Sequence, residues 1–297
     1  MEIVAQRRIV MQRFDRHRQD VGNVVFLEHV NVRVPDQRLA TAFYIQGLGF
    51  TRDPYIMVGV ENMWINMGQT QFHLPTGEPN VMRGHVEIVV PDLELMPARL
   101  DAVRDHLKDT KFGYSVEDKY IAVTTPWGNR LRLFAAGPTF GDMTLGITHV
   151  EIPVEAGRAA GIARFYEKVL GTAAAVTPDA EGLAAHVKVG QRQEMVFRET
   201  SKPIPAYDGY HVAIYITNFS GPHEWLDKHG LVSEESNEYQ YRFNTIVDPD
   251  TREPLCVIEH EVRCYTHPMF FRPLVSRNPV QRQATYQRGR DAFYPAG

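Results

Sequence analysis

Three strand-like runs in the second half of the chain each carry one strong metal ligand. They are His149 in Gly146–Val154 (GITHVEIPV), His211 in Asp208–Ile216 (DGYHVAIYI) and Glu259 in Pro254–Val262 (PLCVIEHEV). Two imidazoles and one carboxylate form the facial donor set that suits non-haem Fe(2+) and leaves positions open for substrate. These three residues are expected to meet around one divalent metal, Fe(2+) first, with Mn(2+), Zn(2+) and Ni(2+) as alternatives. In six-coordinate geometry the set leaves about three open sites. A bidentate small-molecule substrate can take two of them and O2 the third. Tetrahedral zinc with three protein ligands would leave only one.

The elements that must position these residues repeat. EHVNVRVPD, GHVEIVVPD, THVEIPV and YHVAIYITN head four similar stretches, with His29, His85, His149 and His211 in matching places at intervals of about sixty residues. AFYIQGLGF matches RFYEKVLGT, and MGQTQFHLP matches VGQRQEMVF. Each stretch opens with an alternating, strand-like run. A helical pattern follows, as in Leu39, Ala42, Phe43, Ile45 and Leu48. Three short strands end it. A strand–helix–three-strand unit leaves one sheet face open, so such units must pair to bury a core.

This pattern, over nearly all of the chain from Val24 to Tyr265, resembles the vicinal oxygen chelate superfamily. That superfamily includes glyoxalase I, bleomycin-resistance proteins and extradiol dioxygenases. The resemblance implies an α+β fold: four βαβββ modules paired into two domains, each a curved mixed sheet around a cleft. The expected boundaries are an N-terminal arm (1–23), an N-terminal domain (24–137), a C-terminal domain (145–265) and a C-terminal tail (266–297). In the family, ligands lie on the first and last strand of each unit. The C-terminal domain matches, with His149, His211 and Glu259. The N-terminal domain is expected to be metal-free, because its counterpart of Glu259 falls near Arg132 and a guanidinium cannot ligate.

Ring-cleaving members also carry a tyrosine and a histidine beside the metal. The nearest phenols here are Tyr239 and Tyr241, and His267 could close over the cleft from the tail; these three are the catalytic candidates. His260 must point to the opposite face from Glu259 if the strand is regular. His223 and His229 fall on a helical stretch and are expected at the surface.

The chain has 297 residues, 43% hydrophobic and 23% charged, with a formal net charge of -4. That composition is globular and gives no reason to expect nucleic acid or a membrane as partner. Its two cysteines lack disulfide or zinc-knuckle spacing. A cytoplasmic protein is expected, and a homo-oligomer, since the aromatic-anchored tail should wrap a neighbour or the domain interface. The expected activity is that of a metal-dependent, dioxygenase-like oxidoreductase acting on a substrate chelated through adjacent oxygens. The alternatives are a glyoxalase-type isomerase or lyase, and a non-catalytic ligand-binding protein.

Overall fold

The computed structural model describes residues 16–56, 61–270 and 272–275. Residues 1–15 of the arm, Met57 and the tail anchors Phe271, Tyr286, Phe293 and Tyr294 lie outside them. The four modules are all present. The first is β1 (Val24–Asn31), α1 (Gln37–Ala40, running on as a π-helix over Thr41–Gly47), β2 (Thr51–Arg52), β3 (Asn62–Met67) and β4 (Thr70–Pro75). The second is β5 (His85–Val90), α2 (Met96–Ala102), β6 (Gly113–Val116), β7 (Ile121–Thr124) and β8 (Arg130–Ala135). The third is β9 (Gly146–Glu155), α3 (Ala159–Lys168), β10 (Ala174–Asp179), β11 (Gly182–Gly190) and β12 (Gln193–Thr200). The fourth is β13 (His211–Ile216), α4 (Ser220–Lys228), β14 (Val232–Asn237), β15 (Gln240–Val247) and β16 (Pro254–Cys264).

Each helix buries one stripe against its sheet, as α3 does with Ile162, Phe165 and Tyr166. Asp36 starts α1 by accepting from the amides of Arg38 (2.7 Å) and Leu39 (3.0 Å), which satisfies two otherwise unpaired donors. None of the described helices is long and apolar enough to cross a membrane.

The fold class is as expected: two eight-stranded mixed sheets with helices packed outside. The pairing of modules is not. One sheet runs β14-β15-β16-β13-β1-β4-β3-β2, and the other β10-β11-β12-β9-β5-β8-β7-β6. The first module therefore pairs with the fourth and the second with the third, so neither 24–137 nor 145–265 makes a sheet by itself. The four opening strands have nearly the same edge pattern, so sequence alone leaves the choice of partner open. Buried side chains that bridge the two sheets favour the observed choice. Gln193 donates to the carbonyls of Leu27 (2.8 Å) and Ile147 (3.0 Å) and accepts from the Leu27 amide (3.0 Å). Thr70 Oγ1 accepts from the Ile147 amide at 2.9 Å. Each bond satisfies backbone groups that would otherwise be buried and unpaired.

Candidate metal centre

Register decides which side chains meet on the inner face of the first sheet. β1 and β13 run antiparallel with Asn31 opposite His211 and His29 opposite Ala213. β13 and β16 run parallel with His211 beside Glu259, Ala213 beside Glu261 and Tyr215 beside Arg263. β1 and β4 place Asn31 beside His73 and His29 beside Gln71. Alternate residues share a face, so His29, His73, His211, Glu259, Glu261 and Arg263 converge. A register irregularity between Leu27 and His29 lets the neighbouring Glu28 reach the same network.

His29 is completely buried. Its Nδ1 lies 3.0 Å from Glu28 Oε2. A carboxylate only accepts, so Nδ1 carries the proton and Nε2 keeps its lone pair. Burial pushes the His29 pKa well below the usual histidine value, which keeps the ring neutral. His211 repeats the arrangement, with Nδ1 3.1 Å from Glu259 Oε1. The Nε2 atoms of both rings are buried without a hydrogen-bond partner. Such atoms cost stability unless something fills the space they face. Glu261 Oε2 lies 3.5 Å from His211 Nε2. Burial works against ionisation of Glu261, and the guanidinium groups of Arg263 and Arg242 work for it. Arg263 contacts Glu28 and Glu261, and Arg242 contacts Glu259 and Glu261.

These residues fit a divalent metal. One ring nitrogen from each of His29, His73 and His211 lies within 4.8 Å of the others, and Glu261 Oε2, 3.5 Å from His211 Nε2, would complete a 2-His-1-carboxylate donor set with His29 and His211. Glu28 and Glu259 stand behind the rings, where such carboxylates fix the tautomer and raise ligand basicity. His73 is close but committed: Nδ1 is 2.6 Å from Asn31 Nδ2 and Nε2 is 2.6 Å from Asn62 Oδ1, with the ring stacked on Trp64 at 3.9 Å. Burial pushes its pKa down to about 2.

The expected trio is therefore divided. His211 and Glu259 sit at this centre, but His149 lies on β9 in the other sheet, beside His85, Glu87 and Glu151. The place assigned to His149 belongs to His29, because the fourth module pairs with the first. Glu259 Oε1 lies against His211 Nδ1, and Glu261, two residues on and on the same face, lies toward its Nε2. Sequence reasoning passed over Glu261, although the spacing E-x-E in IEHEV was the signal for two carboxylates on one face.

The phenols fare differently. Tyr241 points away from the centre, packed against Phe219 and His223 of the fourth module's helical face at 5.0 and 4.9 Å. Tyr239 lies in a shallow cleft of about 390 Å³ with Glu238, Cys264 and Tyr265. Its ring lies 6.2 Å from that of His267. His267 lies 6.1 Å from the Tyr215 ring, at the start of a segment that crosses the face. There Phe270 packs on Tyr215 at 4.7 Å, Arg272 forks onto buried Asp53 at 3.2 and 3.0 Å, and the Val275 carbonyl accepts from Asn66. His260 faces the helices, as its place next to Glu259 requires, bonded to Tyr166 at 2.6 Å. His223 is at the surface with Glu235, and His229 is partly buried against Trp225.

No protein-family model matches the sequence, and no curated protein is similar to it. Solved structures are similar in fold. Glyoxalase I from Zea mays superposes with a TM-score of 0.55 at 16% identity, over 85% of this chain and 96% of that one. A Bacillus subtilis protein provisionally described as a dioxygenase gives 0.53 at 13%, over 84% and 87%. The chain thus has the vicinal oxygen chelate fold, and at these identities the fold is what is shared.

Proposed function

We propose that the chain is a metal-dependent enzyme of the vicinal oxygen chelate type, with His29, His211 and Glu261 as ligands. The observation that carries this reading is the pair of buried, unpartnered Nε2 atoms, each held from behind by a carboxylate. A bound divalent metal would supply Lewis-acid chemistry and, as Fe(2+), redox chemistry toward a small substrate with two adjacent oxygens. Glu28 and Glu259 hold the imidazoles as neutral donors. Arg263 and Arg242 keep Glu261 ionised, and the segment through Arg272 keeps water from the face. The donor set leaves room for a bidentate substrate and O2, which favours a dioxygenase-like oxidoreductase. Glyoxalase-type isomerisation is the second reading, supported by Glu259. That carboxylate is partly exposed beside His211 and can accept a proton.

Protein loaded with iron without oxygen is the material for the test. His29→Ala, His211→Ala and Glu261→Gln should each remove one metal equivalent. Glu259→Gln should keep the equivalent but bind it about 10- to 100-fold more weakly. Oxygen uptake is then followed against catechols, hydroquinones and α-keto enols. Uptake with iron and not with zinc supports the oxygenase. Turnover without O2, or equally with zinc, moves the assignment to the isomerase. Metal content unchanged in both histidine variants would sink the centre itself.

A further inference from the structure

The second sheet holds a different donor arrangement. β5 and β9 both carry the tripeptide His-Val-Glu, as His85–Glu87 and His149–Glu151. They cross antiparallel with His85 opposite Glu151 and Glu87 opposite His149. The crossing is close: a Cβ on Gly84 would lie 1.6 Å from the Glu151 carbonyl oxygen, so only glycine fits there. The two motifs then present a box of alternating imidazoles and carboxylates on one face. The contacts use both nitrogens of each ring: His85 Nε2 lies 3.3 Å from Glu87 Oε1 and its Nδ1 3.7 Å from Glu151 Oε1, while His149 Nδ1 lies 3.9 Å from Glu87 Oε2 and its Nε2 3.9 Å from Glu151 Oε2.

Two donors each about 2.1 Å from a common cation stand roughly 3.0 to 3.4 Å apart, depending on the bond angle. One ligand atom from each of His85, His149 and Glu151 lies within 4.8 Å of the others, so an inward shift of these three brings them onto one cation. Mutual hydrogen bonding does not account for the cluster: the buried Nε2 of His149 has no hydrogen-bond partner. The arginines do not fill the box either. Arg198 binds Glu151 Oε2 at 2.8 Å and spends its fork on Asp179, which leaves Glu151 Oε1 facing His85. Arg132 lies 3.4 Å from Glu87 Oε1, leaving Oε2 toward His149.

We propose that His85, His149 and Glu151, with Glu87 beside both rings, form a second binding site, for a divalent transition-metal cation such as Mn2+ or Zn2+. Both carboxylates come from the opening strands, two residues after each histidine, while the last strands β8 and β12 bring arginines. This is a different donor pattern from the His29–His211–Glu261 centre. Mixed imidazole and carboxylate ligands suit first-row divalent ions rather than Ca2+ or Mg2+.

Full-length protein stripped of metal is titrated with Mn2+ alone, with free ion followed by its paramagnetic signal, and separately dialysed against Zn2+ with metal analysis. Wild type should take two equivalents. The Glu87→Gln/Glu151→Gln double variant should lose one, and His29→Ala/His211→Ala the other. His149→Ala is the second variant if the double one melts early in chelator. Glu87→Gln/Glu151→Gln protein that keeps the wild-type stoichiometry overturns the site. So does wild type whose whole metal content disappears with His29→Ala/His211→Ala. If the first centre is misassigned, His29→Ala/His211→Ala loses nothing while the glutamate variant still loses its equivalent, so the two failures read differently.

Discussion

At the residue scale, the molecule keeps several histidines neutral by burial. His260 shows the cause most simply. Its Nδ1–H donates to the Ile258 carbonyl at 3.0 Å, and its Nε2 accepts from the Tyr166 hydroxyl at 2.6 Å. The neutral ring is satisfied on both sides, so burial pushes its pKa down to about 4. An unfolded histidine takes up a proton near pH 6.5. Between about pH 6.5 and 4 the unfolded chain therefore binds more protons than the folded one, and stability falls as pH falls. Each such histidine contributes up to ~1.4 kcal/mol per pH unit in that window. Below it, the lowered carboxyls Asp53, Glu259 and Glu261 act with the same sign. In chelator, the urea midpoint should drop clearly between pH 7.5 and 5.5. A flat profile there would show that these rings are solvated in the folded protein.

At the element scale, the segment after β16 connects the tail to the first sheet. Asp53 is fully buried and accepts from the amides of Tyr55 and Ile56 as well as from the Arg272 fork. Removing one partner of a buried charge pair leaves the other uncompensated, which costs on the order of 3 kcal/mol. Arg272→Ala should lower unfolding stability by about that amount. It should also speed amide exchange over 267–275, because Phe270 on Tyr215 would be the main remaining anchor. An Arg272→Ala protein with wild-type stability and exchange would mean that the segment does not depend on this pair.

At the scale of the whole molecule, each sheet takes one module from each half of the chain. β1 needs β13, and β5 needs β9. A half-chain such as 16–137 therefore holds two modules without their observed partners. Expressed alone, 16–137 and 145–275 should each be largely unfolded by circular dichroism. Together they should assemble into one particle with native secondary structure. Independent, cooperative folding of either half would contradict the observed strand pairing.

Local pattern was enough for a good deal of this protein. Alternation and helical spacing exposed four βαβββ modules, and the aligned histidines at their heads marked the strands that would carry ligands. Face assignments made from strand periodicity also stand: His260 turned away from Glu259, and His211 and Glu259 came together because β13 and β16 are neighbours within one module. The tertiary structure decided which modules meet, and with that it placed His29 rather than His149 beside His211, with Glu261 on the same face. The reason is physical. Periodicity is a property of a few consecutive residues, whereas the pairing of nearly equivalent edges is selected by contacts between residues far apart in sequence. Gln193 on the Leu27 backbone and Thr70 on Ile147 are two such contacts. Neither leaves a signal in the segment it comes from.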